Sequence, residues 1–131
     1  MKSSGVDIKR ILIVEDEPVI GEFCQRTLIG EGFEIDIAVN GKVAQEMLVE
    51  KDYALCLIDI RTPVMNGKEL YQCIKEKHPE LIDGVVFTTG DLISGDTQGF
   101  LEQSGQPFLL KPFTPNELKT IVRETLRQIE K

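Results

Sequence analysis

A chain of 131 residues with 41% hydrophobic and 28% charged residues has the size and balance of one globular domain, core about residues 8–130, with no room for a second domain of ordinary size. No stretch approaches the roughly 20 apolar residues that span a bilayer. Met1 to Val6 shows neither a signal peptide nor a lipidation motif, so the expected compartment is the cytoplasm, without membrane insertion. The net charge of -7 opposes direct binding to nucleic-acid phosphates.

In chain order, Ile11-Leu12-Ile13-Val14 is continuously apolar and largely β-branched, as in a strand buried on both faces of a parallel sheet. Pro18 opens a helix whose apolar positions Ile20, Phe23, Cys24 and Leu28 keep helical spacing until Gly30 and Gly32. Residues 33–39 read as a second strand, Asn40 as a cap, and Val43, Ala44, Met47 and Leu48 as the stripe of a second helix. A third strand over residues 53–58 ends in Asp59; after the loop of residues 61–66, a helix from Gly67 turns Leu70, Cys73 and Ile74 inward.

Residues 85–89 form the fourth strand. The Gly-rich stretch 90–105 supports only a short helix over residues 97–103. Residues 107–110 are the fifth strand, and Thr114-Pro115-Asn116-Glu117 is a capping box with Pro at the first helical position. Leu118, Ile121, Val122, Thr125, Leu126 and Ile129 mark one face of the last helix. Strands and helices in strict alternation predict a doubly wound five-stranded parallel α/β sheet with helices on both faces.

The three cysteines, Cys24, Cys56 and Cys73, lie in apolar stretches without metal-type spacing and read as reduced core residues. His78, beside Pro79, reads as a solvated position near a helix end; alone it makes no zinc site. No Gly stands five residues before Gly41-Lys42 or Gly67-Lys68 and no Gly-x-Gly-x-x-Gly occurs, so neither ATP nor NAD is implied.

The chemistry gathers at strand ends. Glu15 and Asp16 follow the first strand, Asp59 the third and Lys111 the fifth, while Thr89 closes the fourth. Each acid alone is ordinarily a turn or capping residue, but ligands of open α/β sheets bind outside the carboxyl ends of the strands. Together these residues place three acids, a hydroxyl and an ammonium in one crevice. Clustered carboxylates repel and take raised pKa values unless a cation joins them. An all-oxygen site with room for water suits Mg2+. Such a cation, with Lys111 and Thr89, would hold a phosphoryl group while Asp59 serves as nucleophile and becomes an aspartyl phosphate.

These motifs resemble the receiver domain of two-component signalling proteins from about Arg10 to Ile129. The matching runs are residues 11–17 with the acidic pair, 55–59 with the phosphoacceptor, Pro63-Val64-Met65-Asn66-Gly67 after it, Thr89-Gly90 as the switch hydroxyl, and residues 108–113 around Lys111-Pro112. The resemblance implies a flavodoxin-like strand order 2-1-3-4-5, the order for which a receiver is itself a standard example. It also implies Asp16, Asp59 and the backbone carbonyl of Arg61 as direct Mg2+ ligands, Glu15 acting through water, and a cis Lys111-Pro112 bond. The implied donor is a phosphohistidine of a histidine kinase or phosphotransfer protein. The implied output is a switch through Thr89 and Phe108 to a downstream protein at the face of helix 4, strand 5 and helix 5. Three departures stand out: Thr62 where Met is common, Phe108 where Tyr is common, and the Gly-rich fourth helix.

Arg61, two after Asp59, and Asp91, two after Thr89, carry opposite charges and are expected to flank the entrance as a gate against hydrolytic water. The stretch leading into Lys111-Pro112-Phe113 resembles the terminal receivers of hybrid histidine kinases, and with no output domain in view the signal is expected to leave through another protein. Two other functions compete. A phosphohydrolase with an aspartate nucleophile would generally carry a second Asp where Arg61 stands; a phosphorylation-independent interaction module would show gaps in the acid set, and none occurs. The expectation is a phosphoacceptor switch, not an enzyme beyond self-phosphorylation from small donors and self-dephosphorylation.

Overall fold

Apolar β-branched runs gain most when both faces are covered, and the three longest of them occupy the middle of the sheet. The computed structural model describes residues 8–92 and 94–130. It contains strands β1 (Arg10–Val14), β2 (Glu34–Ala38), β3 (Leu55–Asp59), β4 (Val85–Thr89) and β5 (Phe108–Leu110), which alternate with helices α1 (Pro18–Ile29), α2 (Gly41–Glu50), α3 (Gly67–Lys77), α4 (Gly95–Ser104) and α5 (Pro115–Ile129). All strand pairs are parallel, in the order β2-β1-β3-β4-β5. This is the doubly wound, flavodoxin-like sheet expected.

Side chains alternate along each strand, so the sheet has two cores. Leu12, Val14, Cys56, Ile58, Val85 and Phe87 pack with Ala44 and Leu48 of α2, Leu70 and Ile74 of α3, and Leu101 of α4. On the opposite face Ile11, Ile13, Leu55, Leu57 and Val86 pack with Cys24 and Leu28 of α1 and Leu118, Val122 and Leu126 of α5. The three cysteines are free and buried. Burial pushes the Cys24 thiol up to about 12, with Glu15 adding to the effect. Among the described residues no helix is long and apolar enough to cross a membrane.

The last helices show how local sequence sets their ends. At α5 the Thr114 side chain accepts from the Glu117 N–H while the Glu117 carboxylate accepts from Thr114 N–H, closing the expected capping box. Helix α4 is longer than the expected 97–103, because the Gly105 N–H caps it from the left-handed region (φ 69°). Gly95 and Gly99 each cost about 1 kcal/mol relative to Ala. Buried Thr97 and Leu101 offset this, as does the Phe100 ring, which meets Phe87 and Tyr71 edge-on at 5.1 and 5.7 Å.

Two local expectations need correction. Strands β2, β3 and β5 begin later than residues 33, 53 and 107, since parallel pairing with a neighbour, and not apolar character alone, sets a strand's start. His78 is the C-cap of α3, as its place near a helix end implied, but its side chain is only 18% exposed, and it is followed by a 3-10 turn, Pro79–Gly84, that the sequence reading missed. Pro79 blocks continuation of α3, and buried Leu81 anchors the turn to the core.

Candidate functional site

β2 and β3 lie on opposite sides of β1, so the winding reverses there and a crevice opens above the carboxyl ends of β1 and β3. Glu15, the first residue past β1, still donates its N–H to Ala38 O at 3.0 Å, and this extra rung holds it nearly buried. Asp59 ends β3 and is also buried, whereas Asp16 is exposed. Ligand oxygens of Glu15, Asp16 and Asp59 lie within 4.8 Å of one another. Lys111 follows β5, where its N–H donates to Thr89 O at 2.7 Å. Its Nζ reaches Glu15 Oε1 and Asp59 Oδ2, each at 2.9 Å, and Glu17 Oε1 at 3.9 Å. The Lys111-Pro112 bond is cis.

The other oxygen of Asp59, Oδ1, accepts the Arg61 N–H at 3.0 Å, which lays the Arg61 backbone against the carboxylate. The close turn after β3 requires Gly67, because a Cβ there would stand 2.7 Å from Ile60 Cα. The Arg61 guanidinium reaches Asp91 Oδ2 at 2.6 Å, a bridge from the β3–α3 loop to the β4–α4 loop. Asp91 Oδ1 also accepts the Ser94 N–H at 3.2 Å, so the same carboxylate touches the start of α4. Thr89 is buried, and its hydroxyl is engaged with the Asp91 backbone, at 3.1 Å from N and 3.2 Å from O.

Phe108, in contrast, is 40% exposed. It stands in a groove with Leu92, Gln98, Leu101 and Glu102, between α4 and β5. Glu15, Asp16, Asp59 and Lys111 therefore meet in the crevice, Arg61 joins Asp59 to Asp91, the Thr89 hydroxyl is held by the Asp91 backbone, and Phe108 stands apart between α4 and β5.

Charge explains the arrangement. Burial raises the Glu15 carboxyl above the usual range; the Lys111 hydrogen bond opposes this and the Asp59 charge adds to it. Burial alone would lower Lys111, but its bonds to Glu15 and Asp59 outweigh burial and hold it above the usual lysine value. One ammonium against three carboxylates leaves the cluster short of positive charge. The donors are all oxygen, and exposed Asp16 leaves a side open to water, a set that fits Mg2+.

Two features escaped the sequence reading. Glu17 comes within reach of Lys111, and the Thr62 hydroxyl donates to Met65 O at 3.1 Å. No residue pattern signals the second, because it depends on the path of the loop.

A parallel sheet of this order, with acids and a lysine converging at its reversal point, defines a flavodoxin-like α/β protein built around an anionic crevice. The chain belongs to the response regulator receiver domain family, which it matches over residues 11–123. Receiver domains are the regulatory switches of two-component systems, and they interact with histidine kinases or phosphotransfer proteins.

The chain is 33% identical over 122 residues to the Escherichia coli transcriptional regulatory protein PcoR, covering 92% of this chain and 53% of that protein. It is 32% identical over 120 residues to the response regulator ArlR of Staphylococcus epidermidis, covering 90% and 52%. The chain thus spans about half the length of the curated relatives it matches. A CheY-like response regulator receiver domain protein of Methanospirillum hungatei JF-1 superposes with a TM-score of 0.86 at 29% identity, covering 95% of this chain and 98% of that one. The receiver domain of a signal transduction histidine kinase from Syntrophus aciditrophicus gives 0.84 at 26% identity, covering 94% and 93%.

Proposed function

We propose that Asp59 accepts a phosphoryl group from a phosphohistidine of a histidine kinase or phosphotransfer protein. The observation that carries this reading is the buried Asp59 carboxylate, fixed between the Arg61 N–H and the Lys111 ammonium beside two further acids. An Asp59 oxygen attacks phosphorus as the P–N bond breaks; the new P–O bond forms, and the donor imidazole keeps the electron pair. Lys111 turns from a carboxylate partner to a phosphoryl-oxygen partner, and Thr89 exchanges the Asp91 backbone for another phosphoryl oxygen. Asp16, Asp59 and the Arg61 carbonyl, with Glu15 through water, would hold Mg2+, which supplies charge neutralisation for the transferred group.

The donor approaches over the crevice, next to a groove of about 510 Å³ lined by Val19, Ile20, Phe23, Pro112 and Phe113. Val19 is 80% exposed there, which supports this apolar rim as the docking surface for the protein carrying the phosphohistidine. Output leaves through the face of α4, β5 and α5, where the partly exposed Phe108 lines a groove with Leu92 and Leu101. Likeness to the receiver of a histidine kinase supports a place for this domain in a hybrid kinase. Incubation with acetyl phosphate and Mg2+ tests the reading: intact mass rises by one phosphoryl group, the gain disappears in Asp59→Asn, and a gain that survives the substitution refutes the acceptor.

A further inference from the structure

The turn between Asp59 and α3 holds an unusual backbone. Val64, a β-branched residue 79% exposed to solvent, has φ 69°, in the left-handed region that side chains of its kind rarely enter. No burial of its own side chain explains this. The next residue does: the Met65 N–H donates to Pro63 O at 2.8 Å, closing a tight three-residue turn about Val64 of a kind that carries strain, and Met65 O is held from two directions, by the Thr62 hydroxyl at 3.1 Å and by the Gly41 N–H, from the first turn of α2, at 3.1 Å. The approach at Gly41 is so close that a Cβ there would fall 2.1 Å from Met65 O. Thr62 itself is 3% exposed, and its N–H donates to Asp59 O at 3.3 Å. It is therefore tied at one end to the residue bearing the site carboxylate and at the other to the strained part of the turn.

We propose that Thr62 is a positioning residue: its hydroxyl holds the strained turn closed and so fixes the Arg61 backbone against Asp59, preorganising the site for a divalent cation. The inference rests on the reading of the acid cluster as an Mg2+ site. A turn with a left-handed valine opens unless something outweighs the strain. Opening withdraws the segment that carries Arg61, whose N–H bonds Asp59 Oδ1. Threonine serves here because it is small enough to be buried and supplies a donor to a carbonyl that would otherwise lose one of its two partners.

The test is Mg2+ titration of the unphosphorylated protein, followed by NMR of backbone amides around the crevice, with stability of every variant measured by urea unfolding. Thr62→Val, which keeps the shape and removes the hydroxyl, weakens Mg2+ binding about 3- to 10-fold, the equivalent of one net hydrogen bond. Thr62→Ser restores affinity to within about twofold of the parent. In the Thr62→Val background, Val64→Gly recovers most of the loss, since glycine adopts positive φ without strain. That recovery separates positioning from general damage.

Unchanged Mg2+ affinity in Thr62→Val overturns the proposal while leaving the metal site standing. Equal loss in the Ser variant, or no recovery with Val64→Gly, also overturns it. A parent protein that binds no Mg2+ at millimolar concentration overturns the metal site and this proposal together. If Thr62→Val does not fold, Thr62→Ala takes its place with the same outcomes: weaker Mg2+ binding that Val64→Gly recovers upholds the proposal, and unchanged binding refutes it.

Discussion

Lys111→Met removes the cation that bridges Glu15 and Asp59 while keeping most of the side chain's length. Its partners have side chains only 3% and 8% exposed, and Lys111 itself 16%, so the triad sits near the buried limit, where deleting one partner costs about 3–5 kcal/mol. Two routes lower that figure. Glu15, whose carboxyl is already raised by burial, takes up a proton more readily once the ammonium is gone, and water enters on the Asp16 side. The expected loss is about 2–3 kcal/mol, which at an m-value of about 2 kcal/mol/M moves the urea midpoint down by about 1–1.5 M. Saturating Mg2+ replaces the lost charge and should reduce the loss to about half that seen in EDTA. The assay is equilibrium urea unfolding of parent and variant, each with EDTA and with Mg2+. A loss below about 0.5 kcal/mol in EDTA, the behaviour of an exposed pair, or a loss independent of Mg2+, refutes the account of the crevice as an under-neutralised acid cluster.

Three further outcomes follow from the geometry. Replacing both Arg61 and Asp91 by Ala should shorten the phosphoryl lifetime, by at most about fivefold because an exposed pair is worth about 0–1 kcal/mol; equal or slower hydrolysis, followed by loss of the phosphoryl mass, contradicts a gate. Burying the 40% of Phe108 still exposed is worth about 1 kcal/mol, a several-fold population shift. Thr89→Ala should therefore leave Asp59 phosphorylation intact but abolish the change in Phe108 ring NMR signals on beryllofluoride binding; identical ring signals in the parent with Asp59 occupied contradict the switch. Burial alone would raise Asp36, but bonds from Tyr53 OH at 2.8 Å and Lys51 Nζ at 3.2 Å outweigh it and hold the carboxyl below the usual aspartate range. A depressed folded value stabilises above the unfolded pKa of about 3.9 and is lost as pH falls through the folded value. Tyr53→Phe should cost about 1 kcal/mol at pH 7 and progressively less below pH 4, and a pH-independent cost in urea unfolding argues against the bond.

What the sequence made legible was what short-range patterning encodes. The apolar runs at residues 11–14, 55–58 and 85–87 became the buried strands, and the polar residues that interrupt them, Glu15, Asp59 and Thr89, mark the crevice because strand ends in a parallel sheet all point one way. The Thr114 capping box was readable for the same local reason. The reach of α4 was not, since its residues are weak helix formers and its position depends on Phe100 meeting Tyr71 and Phe87 from other elements. The half-burial of His78 was not legible either, since it stands beside Leu48 and Tyr53, about 30 residues earlier in the chain. The contact of Thr62 and Gly41 with one carbonyl likewise joins residues across two loops, where spacing carries no signal.

The central claim is that Asp59 carries the phosphoryl group, and reductive trapping tests it most directly. Protein treated with acetyl phosphate and Mg2+ is reduced with borohydride, which converts an acyl phosphate to an alcohol, and is then digested and sequenced by mass spectrometry. The account predicts homoserine at position 59 in the peptide spanning β3, dependent on Mg2+ and absent without the phosphodonor. Homoserine at position 16 instead, or an unreduced Asp59 in protein that has gained phosphoryl mass, would contradict it.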